Sequence, residues 1–266
     1  FVHAHGKKLH VTCNIIPHNE DFEGLEDYLK FLESIGVDAI IVADMGIFSL
    51  AKRVAPGLEL HVSTQASTTN WHTVQMWKEL GATRVVAARE VSLADLKEMK
   101  DNVDIEIESF VHGSMCISYS GRCLLSNYMT GNRDANRGQC SQSCRWKYSL
   151  VESNRPGEYY PIEEDEHGTY IFNSKDLCLI HRIPDLYEAG IDSLKIEGRM
   201  KSVHYCATVA KVYRTAIDTY LKEGKDWYVR PEWIAELEKI SHRPYTDGFA
   251  EGRPDETAQN YGKSTN

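Results

Sequence analysis

A chain of 266 residues is long enough for one large α/β domain or two small ones. Its 42% hydrophobic and 26% charged residues are ordinary globular composition, which excludes a disordered or fibrous protein. The 39 acidic against 30 basic residues give a net charge of −9, which disfavours wholesale coating of nucleic acid and leaves local patches open.

The opening Phe1-Val-His-Ala-His-Gly6 reads as the tail of a helix running into a strand at 9–14. Leu25, Tyr28, Leu29, Leu32 and Ile35 then share one face at 3.6-residue spacing, which predicts a helix. Gly36 should end it in a left-handed cap before a strand at 39–43. The same helix–glycine–strand pattern recurs at Gly81 before 84–87 and at Gly190 before 193–196. Further strands are expected at 59–62 and 104–110, and one at 170–173 belongs either to the core or to an insertion arm. Helices follow at 203–221 and 231–240, and the tail from Arg243 is polar without periodicity.

Strands alternating with helices imply parallel pairing through right-handed crossovers. Polar residues gather just after the strands: Asn14, Asp44, Ser63 with Gln65, Arg89 with Glu90, Glu108 with His112, and Lys195, Glu197 and Arg199. Carboxyl ends of strands form the active face of a (β/α) barrel. The expected fold is therefore α/β, a TIM-like (β/α) barrel, N-terminally incomplete, with a cysteine-rich insertion and C-terminal helices. Residues 1–110 and 169–222 would form the barrel core, 111–168 the insertion, and 223–266 the C-terminal helix and polar tail. Solvent exposure of strand ends would give the same polar pattern. An open doubly wound sheet is the rival architecture, although no glycine-rich phosphate loop follows any strand. No apolar run approaches the roughly 20 residues of a membrane helix. No charged, apolar and small-residue leader opens the chain, so the expectation is a cytoplasmic protein without a membrane partner.

Seven cysteines are many for such a chain, and an odd count leaves one thiol unpaired. Cys116, Cys123, Cys140 and Cys144 lie close together, Cys178 follows, and Cys13 and Cys206 stand apart with apolar or small neighbours that suit packing. Clustering of soft thiolates points to metal chemistry. Structural zinc favours two tight Cys-x2–4-Cys knuckles, and only Cys140 with Cys144 forms one. Wide, irregular spacing suits a four-thiolate iron–sulfur cluster, with zinc and ordinary buried cysteines as the alternatives.

The run Glu108-Ser-Phe-Val-His-Gly-Ser-Met-Cys-Ile-Ser-Tyr-Ser-Gly-Arg-Cys-Leu-Leu-Ser resembles the signature of the U-thirty-two family of collagenase-like peptidases. Further matches are Ser63-Thr-Gln-Ala-Ser, Arg137-Gly-Gln-Cys-Ser-Gln-Ser-Cys-Arg, Asn173-Ser-Lys-Asp-Leu-Cys178, Lys195-Ile-Glu-Gly-Arg-Met-Lys-Ser and Ser241-His-Arg-Pro-Tyr-Thr-Asp-Gly-Phe. The last run is most similar to the branch that hydroxylates a wobble uridine of tRNA to 5-hydroxyuridine, with prephenate as required metabolite. Sister branches act on ribosomal RNA or serve quinone hydroxylation. The resemblance implies a [4Fe–4S] cluster on Cys116, Cys123, Cys140 and Cys178, with Cys144 the rival for one place. A paralogous protein partner is compatible with the same branch. The family's usual strands before Phe1 and its small β-barrel beyond Asn266 lie outside this sequence.

Local charge agrees with an RNA partner. Between 117 and 150, Arg122, Arg133, Arg137, Arg145 and Lys147 face Asp134 alone, and Tyr119, Tyr128, Trp146 and Tyr148 offer planar stacking faces. Arg133, Arg137, Arg145 and Trp146 are the expected RNA contacts, unless the loop only neutralises cluster charge. Lys195 and Arg199 would grip a dicarboxylate such as prephenate, to which a guanidinium is suited. Glu197 would share their side of the strand, and Gln65 and Glu108 would orient substrate or water. A structural Lys195–Glu197 pair is the bland reading, and His112 reads as a hydrogen-bonding support. Peptidase activity has the family's name behind it, but no His-Glu-x-x-His or Gly-x-Ser-x-Gly motif is present. A metal-bearing RNA-binding module without catalysis is the third reading.

Overall fold

The computed structural model describes residues 1–116, 118, 122–130, 133, 135–145, 149–150, 160–161 and 175–252. Strands β1 (His10–Cys13), β2 (Ala39–Val42), β3 (Glu59–Val62), β4 (Arg84–Val86) and β5 (Glu106–Ser114) pair in order, all parallel. Helices α1 (Leu25–Ser34), α2 (Met45–Val54), α3 (Trp71–Leu80) and α4 (Leu93–Asn102) connect them. The Ala-Ile-Ile-Val run of β2 is buried at every position, as a strand covered on both faces requires.

The recurring glycine has one cause in all three places. Gly36, Gly81 and Gly190 have φ of 77°, 104° and 77°. The residue after each donates back to a carbonyl five positions earlier: Val37 to Leu32, Ala82 to Trp77, Ile191 to Leu186. That is a Schellman turn, and it delivers the chain directly into the next strand.

After β5 come α5 (Leu125–Thr130), the short antiparallel pair β6 (Ser149–Leu150) and β7 (Tyr160–Pro161), and β8 (Asp176–Cys178). Then α6 (Ile183–Glu188), β9 (Ser193–Ile196), α7 (Val203–Glu223), α8 (Pro231–Glu238) and β10 (Tyr245–Thr246) complete the described chain. The expected strand at 170–173 lies outside the described residues.

The fold is mixed α/β with a largely parallel sheet, and among the described residues that sheet does not close into the expected N-terminally incomplete barrel. The strand order is β1-β2-β3-β4-β5-β8-β10 with β9 also on β5, and among the described residues no ladder joins β9 or β10 to β1. Strand β5 runs four residues past the expected end. It pairs β9 parallel with a register shift between Phe110 and His112, and pairs β8 antiparallel over His112–Ser114. A reversed strand cannot belong to a uniform (β/α) repeat. The sheet still curls, because Thr12 of β1, Ile41 of β2 and Lys195 of β9 line one cavity.

Two other expectations change. Phe1–Gly6 contains a 3-10 turn at His3–His5 in place of a helix tail. Residues 243–250, expected as polar tail, add β10 to β8 and bury Arg243 and Ala250. Close packing of β5 on β9 requires Gly113: a Cβ there would stand 2.5 Å from the Glu197 carbonyl oxygen, at a φ of +114°. Among the described residues no helix is long and apolar enough to cross a membrane.

Inside the curl, away from the cavity, His10 and His61 meet edge to face at 4.7 Å. Burial, then the nearby Arg84 charge, pushes His61 down from 6.5 to about 4. The unfolded chain therefore takes up a proton near pH 6.5 that the folded chain refuses until about pH 4. This group's stabilisation is complete above pH 6.5 and falls away towards pH 4. Urea unfolding at pH 7 and pH 4.5 should show a smaller difference in His61→Leu than in wild type. An equal difference would remove His61 from the acid response.

Candidate functional site

A cavity of about 340 Å³ opens at the carboxyl ends of β1, β3, β5 and β9. Three walls of different chemistry line it. Cys116, Cys123, Cys140 and Cys144 form a thiol wall. Arg89, Lys195, Arg199 and Lys201 form a cationic wall, with Glu197 among them. Asn14, Ser63, Thr64 and Gln65 form a neutral polar wall.

The thiols sense one another. Burial pushes the Cys116 thiol up, and the neighbouring Cys123 and Cys140 add to the shift, while the Ser118 backbone and Arg89 oppose it. Cys116 is therefore close enough to two other thiols to feel their charge. Cys178 is apart from this group. It is buried on β8, facing the Tyr213 hydroxyl at 3.9 Å, and burial raises its thiol. It is absent from the cavity lining.

The cationic wall is held from behind. Lys195 Nζ donates to Glu108 Oε1 at 2.8 Å, and Ser193 Oγ and Arg84 Nη1 donate to Glu108 Oε2 at 2.8 and 3.0 Å. Burial works to raise the Glu108 pKa, but Lys195, Ser193 and Arg84 outweigh it and hold the carboxyl at about 2. Glu108 thus accepts from three donors and anchors Lys195, and it is not among the residues lining the cavity. Arg89 lies 3.8 Å above the Phe110 ring and donates to Glu197 Oε2 at 3.0 Å. The Arg199 backbone N–H donates to the other Glu197 oxygen at 3.1 Å. The bland Lys195–Glu197 pair is not formed; each takes another partner.

Gln65 lines the cavity while its Oε1 accepts from Asn136 Nδ2 at 2.8 Å. Asp44 proves to be a helix cap, accepting from the Gly46 and Ile47 N–H groups. His112 is buried among Tyr205, Tyr213 and Tyr245, consistent with a support. Cys13 and Cys206 pack against the core.

The expected RNA contacts separate. Arg133 is exposed. Arg137 does not project towards solvent alone: Nη1 and Nη2 donate to Asp21 Oδ1 and Oδ2 at 2.8 and 2.6 Å, a bidentate pair. The Arg145 side chain and Trp146 lie outside the described residues.

A family model described as peptidase family U32 matches residues 1–260. The chain belongs to this family. It is similar to tRNA hydroxylation protein P1 of Bacillus subtilis (strain 168), 51% identical over 263 residues, which are 99% of this chain and 62% of that protein. It is similar to tRNA hydroxylation protein P of Escherichia coli (strain K12), 40% identical over 97% of this chain and 65% of that protein. A 23S rRNA 5-hydroxycytidine synthase of Escherichia coli (strain K12) is 36% identical over 95% of this chain and 38% of the synthase. This chain therefore spans less than two thirds of the length of these relatives.

The U32 signature run folds into β5 and the first cavity thiol, and Lys195-Ile-Glu-Gly-Arg folds into the cationic wall. Among the described residues no histidine lines the cavity, so Ser114 and the thiols there have no imidazole base beside them. Several site residues escaped the sequence reading. Arg89 was visible only as one polar residue after β4, and its position over Phe110 depends on a strand pair. Lys201 lies two residues past Arg199 in the Glu-Gly-Arg-Met-Lys run, a signal available but unused. Thr64 carries a buried hydroxyl without a hydrogen-bond partner and lines the cavity, and Asn14 Nδ2 donates to Ser63 Oγ at 2.9 Å.

Proposed function

We propose that this protein takes part in hydroxylating the wobble uridine of tRNA to 5-hydroxyuridine in the cytoplasm, with prephenate as the required metabolite. The observation that carries the reading is the single cavity in which a four-thiol wall meets a four-cation wall. The names of the relatives at 51% and 40% identity supply the reaction class.

The donor set fits a [4Fe–4S] cluster. Soft thiolates are its usual ligands. Among the described residues no three His, Cys, Asp or Glu side chains stand close enough to share one metal ion. The wide, irregular spacing of these cysteines along the chain suits a cluster held by loops better than a structural zinc, which favours two tight knuckles. Cys116, Cys123, Cys140 and Cys144 are the proposed ligands, with Cys144 preferred to Cys178 because it shares the cavity. A bound cluster would supply one-electron chemistry.

The protein's own groups do the rest. Arg199, Arg89, Lys195 and Lys201 line the cavity with the charge that two carboxylates need, and Glu108 fixes the position of Lys195. Gln65, Asn14 and Thr64 face the same space with neutral donors and acceptors. Arg133 remains the described candidate for phosphate contact, and a paralogous partner belongs to the same reading.

Nucleoside mass spectrometry of tRNA from cells lacking the gene tests the assignment. The expected result is loss of 5-hydroxyuridine derivatives at the wobble position. Unchanged tRNA with loss of a hydroxylated ribosomal nucleoside would move the substrate to rRNA. Unchanged RNA with accumulating peptides would favour the peptidase.

A further inference from the structure

Among its described residues the segment bearing Cys140 and Cys144 has only a 3-10 turn at Ser143–Arg145, after the six-residue α5. Ala135 and Gly138 nonetheless line the cavity, so the segment lies across its wall. Contacts to two distant loops hold it there. Asn136 is buried and bridges both: its Oδ1 accepts from the Ile16 N–H at 2.5 Å, and its Nδ2 donates to Gln65 Oε1 at 2.8 Å. One residue on, Arg137 grips Asp21 through two hydrogen bonds of 2.8 and 2.6 Å. Asp21 is itself fixed, since its Oδ2 accepts from the His18 N–H at 2.7 Å. A fork-on-fork pair sets orientation as well as distance, which a single point charge does not.

We propose that Asn136, Arg137 and Asp21 form a clasp that positions Cys140 and Cys144 against Cys116 and Cys123. Arg137 is then a positioning residue, not a phosphate contact. The proposal stands on the contacts of the chain itself, and rests on the cluster reading only for its second measurement.

The first measurement uses the full protein, reduced and treated with chelator, with iodoacetamide labelling followed cysteine by cysteine by mass spectrometry. Asn136→Ala should speed labelling of Cys140 and Cys144 on the order of tenfold, the loss expected for a buried residue's hydrogen bonds, and Arg137→Ala by about two- to fivefold, the worth of a more exposed ion pair. Labelling of Cys178 should not change. Arg137→Lys should fall between wild type and Arg137→Ala. Raising salt to roughly 1 M should speed the wild type and leave Arg137→Ala unmoved, because only the ion pair is screened. A variant that merely fails to fold would also expose Cys178 and would lack this salt pattern, and the Lys variant then carries the test. Wild-type labelling rates in both alanine variants would overturn the clasp.

The second measurement is iron retained after anaerobic reconstitution with iron and sulfide. Arg137→Ala should retain less iron than wild type. Should wild type retain none while the labelling rates still respond, the clasp holds and the cluster reading fails. Equal iron in both proteins with unchanged labelling would overturn the clasp and leave the cluster reading intact.

Discussion

Cys116→Ala, Cys123→Ala, Cys140→Ala and Cys144→Ala should each abolish binding of the proposed iron–sulfur cluster, whereas Cys178→Ala should retain it. The first four thiols line one cavity, and Cys116 is coupled electrostatically to Cys123 and Cys140. Removing one thiolate leaves an iron without its protein ligand, so iron should fall from about four per chain to near none. The visible charge-transfer absorbance should fall with it. Cys178 is different. Its thiol faces Tyr213, whose hydroxyl donates to the Val111 carbonyl at 2.8 Å and keeps that bond in the variant. Deleting one small buried group costs about 1 kcal/mol, which a domain of this size tolerates. Anaerobic purification with iron and sulfide analysis checks all five variants. Iron lost from Cys178→Ala and kept in Cys144→Ala would return the fourth place to Cys178, as the family pattern implies.

That contrast shows where sequence reading stops. The strands of the first half, helix α1 and the end of α3 were legible because each carries a local signal: the buried run of β2, the apolar stripe of α1, the repeated glycine turn. Boundaries fell within a residue or so of the observed ones for β1 to β4, the ordinary uncertainty of an element end. The convergence of polar residues after the strands located the cavity. Partnerships across long separations were not legible. Nothing local pairs Glu108 with Lys195, 87 positions away. Nothing local pairs Arg137 with Asp21, 116 positions away. Strands β8 and β10 span three and two residues, too short for a period, and β8 runs against β5 in a way alternation alone cannot reveal.

Asp176→Asn should destabilise the fold by about 3–5 kcal/mol, because it leaves buried cations without their counter-charge. Asp176 is fully buried at the start of β8. Its Oδ1 accepts from Arg243 Nε and Nη2 at 3.1 and 2.6 Å, its Oδ2 accepts from the Arg243 N–H at 3.2 Å, and Lys201 Nζ stands 3.7 Å away. Burial works to raise the Asp176 pKa, but Arg243 and Lys201 outweigh it and keep the carboxyl below its usual value. The group's stabilisation is therefore complete above the unfolded pKa near 3.8 and is lost as pH falls through the lower folded value. This pair joins two family runs, Asn173-Ser-Lys-Asp-Leu-Cys178 and Ser241-His-Arg-Pro-Tyr, at the point where β10 pairs with β8. Urea unfolding and hydrogen exchange read the two consequences separately. Midpoint and exchange protection at Tyr245 and Thr246 should fall together in Asp176→Asn. The double variant Asp176→Leu with Arg243→Met should lose much less than the two single losses added, since no buried charge is left alone. A single variant within about 1 kcal/mol of wild type, the worth of an exposed pair, would show that water reaches the site and that β10 is seated by its apolar neighbours instead.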